Sequence, residues 1–149
     1  MANIDELVNT LRQKNNAQAA QALKFLLALS RDSDVVYSYF SQFADMLDSS
    51  NSYLRTRGLL LIVANARWDR DNKIEELLPR LLRHIVDPKP ITARQFIQAL
   101  PELAQYKPEL NMAIREALLQ ADTTVYASSM GPLVRGDIQR ALAQIRVEE

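Results

Sequence analysis

The chain has 149 residues, 48% of them apolar and 24% charged, with 18 cations set against 18 acids. That length supports one domain with a buried core, and the even charge removes any overall pull toward nucleic acid or an anionic membrane. The absence of cysteine excludes disulfides, thiolate nucleophiles and cysteine-ligated metals, and it gives no reason to favour an oxidising compartment.

Apolar residues recur with a 3.6-residue period almost end to end, so helices are expected at 3–14, 17–30, 34–47, 52–67, 71–86, 91–105, 107–121 and 132–146. Nothing alternates with period two for long enough to be a strand. The three glycines are too few for a turn-rich β fold. The first element opens MANIDELVNT, which is polar and acidic rather than a signal peptide. In 34–47, Val36, Phe40, Phe43 and Leu47 form the core stripe. Tyr37 and Tyr39 lie off that stripe and are candidates for lining a partner groove, a role suited to amphipathic aromatics. The run 59–64 in the next element is far too short to span a bilayer. A cytoplasmic protein with no membrane association is therefore expected. Trp68 follows this helix, either closing its hairpin or serving as an exposed anchor.

Asp69 and Asp71 flank Arg70 but lack the glycine and the downstream glutamate of a calcium loop. Asn72 with Glu75 reads as a capping box for the helix at 71–86, and Pro79 predicts a kink or a late start. Arg80, Arg83 and His84 occupy the polar flank of that helix and are candidate partner contacts. His84 is the only histidine, so neither a triad nor a histidine metal site can be assembled from local sequence. The stretch DPKPITARQF (87–96) reads as a joint. Asp87 accepts from turn N–H groups or from Arg94, Pro88 and Pro90 stiffen the turn, Thr92 caps the next helix, and Arg94 reaches back. The other reading of this stretch is an anion site made by Lys89, Thr92, Arg94 and the free N–H groups of the helix start. Pro108 suits the first turn of 107–121. Residues 122–129 are a loop or a short extra helix, and Tyr126, Met130 and Pro132 pack the last helix. With short connections and no long linker, 1–149 is expected to be a single helical-repeat domain.

Aligning Arg57 with Arg94 matches Leu59 to Phe96, Leu60 to Ile97 and Val63 to Leu100. Leu47-Asp48, Val86-Asp87 and Ala121-Asp122 then recur at spacings of 39 and 35 residues, within the range of two-helix repeats. An apolar helix end, an aspartate, a short turn and an arginine on the next helix resemble HEAT and armadillo repeats, best in Asp87 with Arg94 and less closely in Asp48 with Arg55 or Arg57. Pro101 sits about where such repeats tolerate a kinking proline. The chain is also similar to small bacterial proteins labelled SufBD-like. The resemblance implies an all-α, right-handed α-α superhelix of about three helical hairpins plus terminal helices. It further implies a non-catalytic scaffold that binds a protein partner on a concave face built mainly by 34–47, 71–86 and 107–121. An apolar face on a terminal hairpin would permit a homodimer. Charge supplies the alternative: residues 1–51 carry a net −2, 52–100 a net +4 and 101–149 a net −2. Some HEAT-like proteins, a class of DNA glycosylases among them, run nucleic acid along a basic surface, which here would be the middle third. No catalytic residue, metal ligand or cofactor site is expected.

Overall fold

The computed structural model describes residues 3–147, which form eight α-helices and no strand among them. They divide into two compact units, one up to Asp71 and one from Asn72 onward.

The first unit contains α1 (Ile4–Thr10), α2 (Asn16–Asp32), α3 (Phe40–Met46) and α4 (Ser52–Ala64). The second half of helix α4 is continuously apolar from 59 to 64 rather than striped, so it can only be stable inside a core. Leu59, Leu61, Ile62 and Val63 are all buried, and α4 packs between α2 and α3. Asn51 starts it by accepting from the Tyr53 N–H at 2.9 Å. At Gly58, α3 comes so close that a Cβ would stand 2.7 Å from the Phe43 carbonyl oxygen and 2.9 Å from the Met46 Cβ. Two buried polar side chains tie the unit together. Arg57 donates to the Leu11 carbonyl at 2.9 Å and to Asn16 Oδ1 at 3.2 Å, joining α4 to the α1–α2 turn. Asn65 donates to the Ser30 hydroxyl at 3.1 Å.

The second unit contains α5 (Lys73–Leu82), α6 (Pro90–Tyr106), α7 (Asn111–Gln120) and α8 (Gly131–Gln144). Its central element is α6, whose Ala93, Phe96, Ile97, Leu100 and Leu103 are fully buried. It packs on α8, on α7 and on the 3-10 turn Arg83–Val86 that ends α5. The stretch 122–129 holds a short 3-10 turn, Thr123–Val125, capped by the Asp122 carboxylate on the Thr124 N–H at 3.0 Å.

Each expected helix has a counterpart, but several ends differ. Helix α1 stops at Thr10, short of 14; the buried Leu11 is its C-cap, and the Leu11 carbonyl accepts from Arg57 instead of continuing the helix. The element expected at 34–47 opens as a 3-10 turn at Tyr37–Tyr39. The capping box at 72–75 does not form. Asn72 adopts a left-handed φ of 56° and caps nothing; its side chain instead accepts from the buried Lys107 ammonium at 2.9 Å. Asparagine tolerates that conformation better than most residues. Thr92 is not a cap either. The helix begins earlier, with Lys89 extended and Pro90 in the first turn, so Thr92 is buried inside it. The residue before a proline is pushed to extended geometry, and that sets the boundary.

Candidate functional site

A buried carboxylate lies between α6 and α8, within the second unit, with charged partners around it. Asp137 occupies a core position of α8, on the stripe of Val134, Ile138 and Ala141, and its side chain has no solvent exposure. A lone carboxylate there would be prohibitively costly. Three donors compensate. Arg94 Nε reaches Oδ2 at 2.7 Å, Arg140 reaches Oδ1 at 2.6 Å, and the Gln98 amide reaches Oδ1 at 3.3 Å. Helical spacing supplies them, since Arg94 and Gln98 are four apart on α6 and Asp137 and Arg140 three apart on α8. Burial pushes the Asp137 carboxyl up, but the hydrogen bonds from Arg94, Arg140 and Gln98 outweigh it and hold the group below the ordinary aspartate value. Arg94 is correspondingly raised, first by its hydrogen bond to Asp137.

A cleft of ≈ 110 Å³ opens beside this cluster. Ile97, Pro101 and Ala141 supply its apolar surface; Gln98, Arg140 and Gln144 join Asp137 as its polar lining. Among the described residues Arg94 is engaged only through Nε and Arg140 only through one terminal nitrogen.

A second cluster surrounds Asp87, whose carboxylate is fully buried. One oxygen accepts from the Lys89 N–H at 2.9 Å, and the other lies 2.7 Å from His84 Nδ1. The Asp87 carbonyl accepts from the Tyr126 hydroxyl at 2.6 Å. Asp87 thus meets the turn N–H as expected, while Arg94 pairs with Asp137 rather than reaching back to it. His84 is largely buried against this aspartate, its side chain 13% exposed.

The proposed partner contacts are divided between the two units. Tyr37 is buried, which overturns its reading as a groove residue. Its hydroxyl donates to the Asp69 carboxylate at 2.6 Å, its ring packs against Phe40, and the Arg70 guanidinium stacks at 5.2 Å from its centroid. The period predicted a residue off the α3 stripe, but Tyr37 sits in the 3-10 turn, where that period does not apply. Tyr39 is partly exposed and hydrogen-bonds the Asp5 carboxylate. Trp68 is half-buried and donates to the Ser30 carbonyl at 2.6 Å, closing the end of α2. In the second unit Arg83 is exposed and Arg80 half-buried.

Part of the basic middle third is internally committed. Arg55 and Arg57 are buried and Arg94 pairs with the buried Asp137, whereas Arg70 forms an exposed pair with Asp34 at 3.2 Å. No group of three or more metal-ligating side chains occurs among the described residues, and no described helix is long and apolar enough to cross a membrane. No family model, curated protein or solved structure matches this chain.

Proposed function

We propose that the chain is a non-catalytic adaptor, a right-handed solenoid of HEAT- or armadillo-like hairpins that docks a protein partner on the face of its second helices. Two features support the repeat. In the first unit α2 packs on α4, and in the second α6 packs on α8, each pair two elements apart in sequence. Hairpins that each lack a complete core stack in this manner. The matched positions Leu59 and Phe96, and Val63 and Leu100, are buried alike.

The observation that carries the docking role is a pair of exposed apolar side chains on one side of α7. Leu110, Ile114 and Leu118 lie in the core, yet Met112 and Leu119, seven residues apart, are 67% and 66% exposed. Seven residues are close to two turns, so both stand on one side of the helix, away from the core. Methionine and leucine on such a face suit an apolar partner surface, methionine because its chain adapts to irregular shapes. The burial of Arg55 and Arg57 and the pairing of Arg94 with the buried Asp137 weigh against the nucleic-acid alternative.

The test is affinity capture from native extract with the tagged chain and with a Met112→Asp, Leu119→Asp double variant. Neither residue is in the core, so the variant keeps its melting temperature. Loss of a captured protein from the variant supports the adaptor. Equal capture by both, or recovery only of nucleic acid that salt removes, sinks it.

A further inference from the structure

We propose that the cleft between α6 and α8 is a binding site for a peptide carboxylate flanked by an aliphatic side chain, a second recognition surface that does not depend on the exposed pair on α7. Two guanidiniums set against the single Asp137 carboxylate leave one positive charge at the site. That surplus matches a monoanion. A phosphate dianion would remain undercompensated. Arg140 is held to Asp137 by one terminal nitrogen, so its other terminal nitrogen has no partner among the described residues and can donate a charge-assisted hydrogen bond to a carboxylate. Its side chain is 66% exposed, so that nitrogen belongs to a reachable group. Anchoring by a buried aspartate fixes the guanidinium before the ligand arrives, which reduces the ordering cost of binding.

The rest of the cleft selects what accompanies the carboxylate. Ile97, Pro101 and Ala141 offer an apolar surface, and the volume of ≈ 110 Å³ accommodates one aliphatic side chain. The Gln98 amide reaches Asp137 only at a long 3.3 Å, and the Gln144 amide makes no hydrogen bond with any described residue. Both can turn to a peptide backbone, which presents donors and acceptors together.

The probes are N-acetyl-Leu-Glu-methylamide, its glutamine counterpart N-acetyl-Leu-Gln-methylamide, and inorganic phosphate. Each is titrated into the full chain while the side-chain amide resonances of Gln98 and Gln144 are followed. The glutamate peptide is expected to shift both resonances saturably, with the glutamine peptide about tenfold weaker for want of the charge-assisted bonds. Arg140→Gln should bring the glutamate peptide down to the glutamine peptide's affinity. It removes only one of two arginines on Asp137, so the fold is retained; a thermal melt checks this. Should that variant nevertheless unfold, Gln144→Ala, which leaves the ion cluster intact, must weaken both peptides. Equal affinity for the two peptides, saturation by phosphate at lower concentration than by the glutamate peptide, or no shift with any probe overturns the proposal. None of those results touches capture through α7, so the two readings fail separately.

Discussion

Asp137 shows how one residue can decide a local structure. Its folded carboxyl is held below the ordinary value, so it contributes stability that is present above the unfolded pKa of about 3.9. That contribution is lost as pH falls through the folded value. Asp137→Asn keeps the shape but removes the charge that answers Arg94 and Arg140. It should cost about 3 kcal/mol at neutral pH, the low end for breaking a buried pair, because both arginines retain some solvent. It should also flatten the acid limb of stability, read as the urea midpoint from neutral pH down to pH ~3. An acid limb identical to that of the parent chain would remove Asp137 from this role. Nothing in the sequence paired Asp137 with Arg94. Local turn chemistry offered Asp87, seven residues away, and the true partner lies 43 residues on. A signal was nevertheless present: an aspartate on the apolar stripe of Val134, Ile138 and Ala141 must be buried and therefore must have partners. The same logic applies to Arg57, Asn65 and Lys107, each on a core-facing position of its segment. Tyr37 failed for a different reason, since a helical period was extended into a turn that does not follow it.

At the scale of elements the helices were legible because each lays a stripe of apolar residues on the core, and a stripe survives errors of two or three residues at its ends. The ends depend on single backbone choices, as at Asn72 and Lys89, which periodicity does not encode. The all-apolar run 59–64 did encode something stronger, that α4 lies at the centre of its unit. The contact at Gly58 follows from that position. Ordinarily Gly→Ala inside a helix stabilises by about 1 kcal/mol. Here the added Cβ would meet the Phe43 carbonyl at 2.7 Å and the Met46 Cβ at 2.9 Å, and neither is the movable end of a side chain. Helices α3 and α4 would have to separate, an overpacking cost of about 1–3 kcal/mol that exceeds the propensity gain. Gly58→Ala should therefore lower the melting temperature. Gly136→Ala on α8 serves as the control: its Cβ meets nothing closer than the Arg140 guanidinium at 3.5 Å. A Gly58→Ala chain as stable as the control would mean that α3 and α4 are less closely packed than described.

Across the whole molecule, composition foretold the all-helical class but not the division at Asp71, because no proline- or glycine-rich linker marks it. The regional charge bias was also legible, yet its use was not, since a count of arginines does not tell a buried one from a free one. Each unit does contain a phenol whose proton is held by burial, and this gives the folded chain an alkaline limit. Burial first, and then its hydrogen bond to the Asp69 carboxylate, push the Tyr37 hydroxyl well above the ordinary tyrosine value. Burial and the nearby Asp87 charge push Tyr126 up to about 12. An unfolded chain loses both protons near pH 10, whereas the folded chain keeps them. Each phenol thus contributes stability that is complete below pH 10 and declines as pH climbs toward 12 for Tyr126, and further for Tyr37. Urea midpoints measured from pH 9 to 12 should fall across that window. Tyr126→Phe, which cannot titrate, should begin lower through loss of the Asp87 carbonyl bond and then decline less steeply; Tyr37→Phe should behave likewise. Parallel slopes in the parent chain and both variants would show that these two hydroxyls ionise as freely in the fold as out of it.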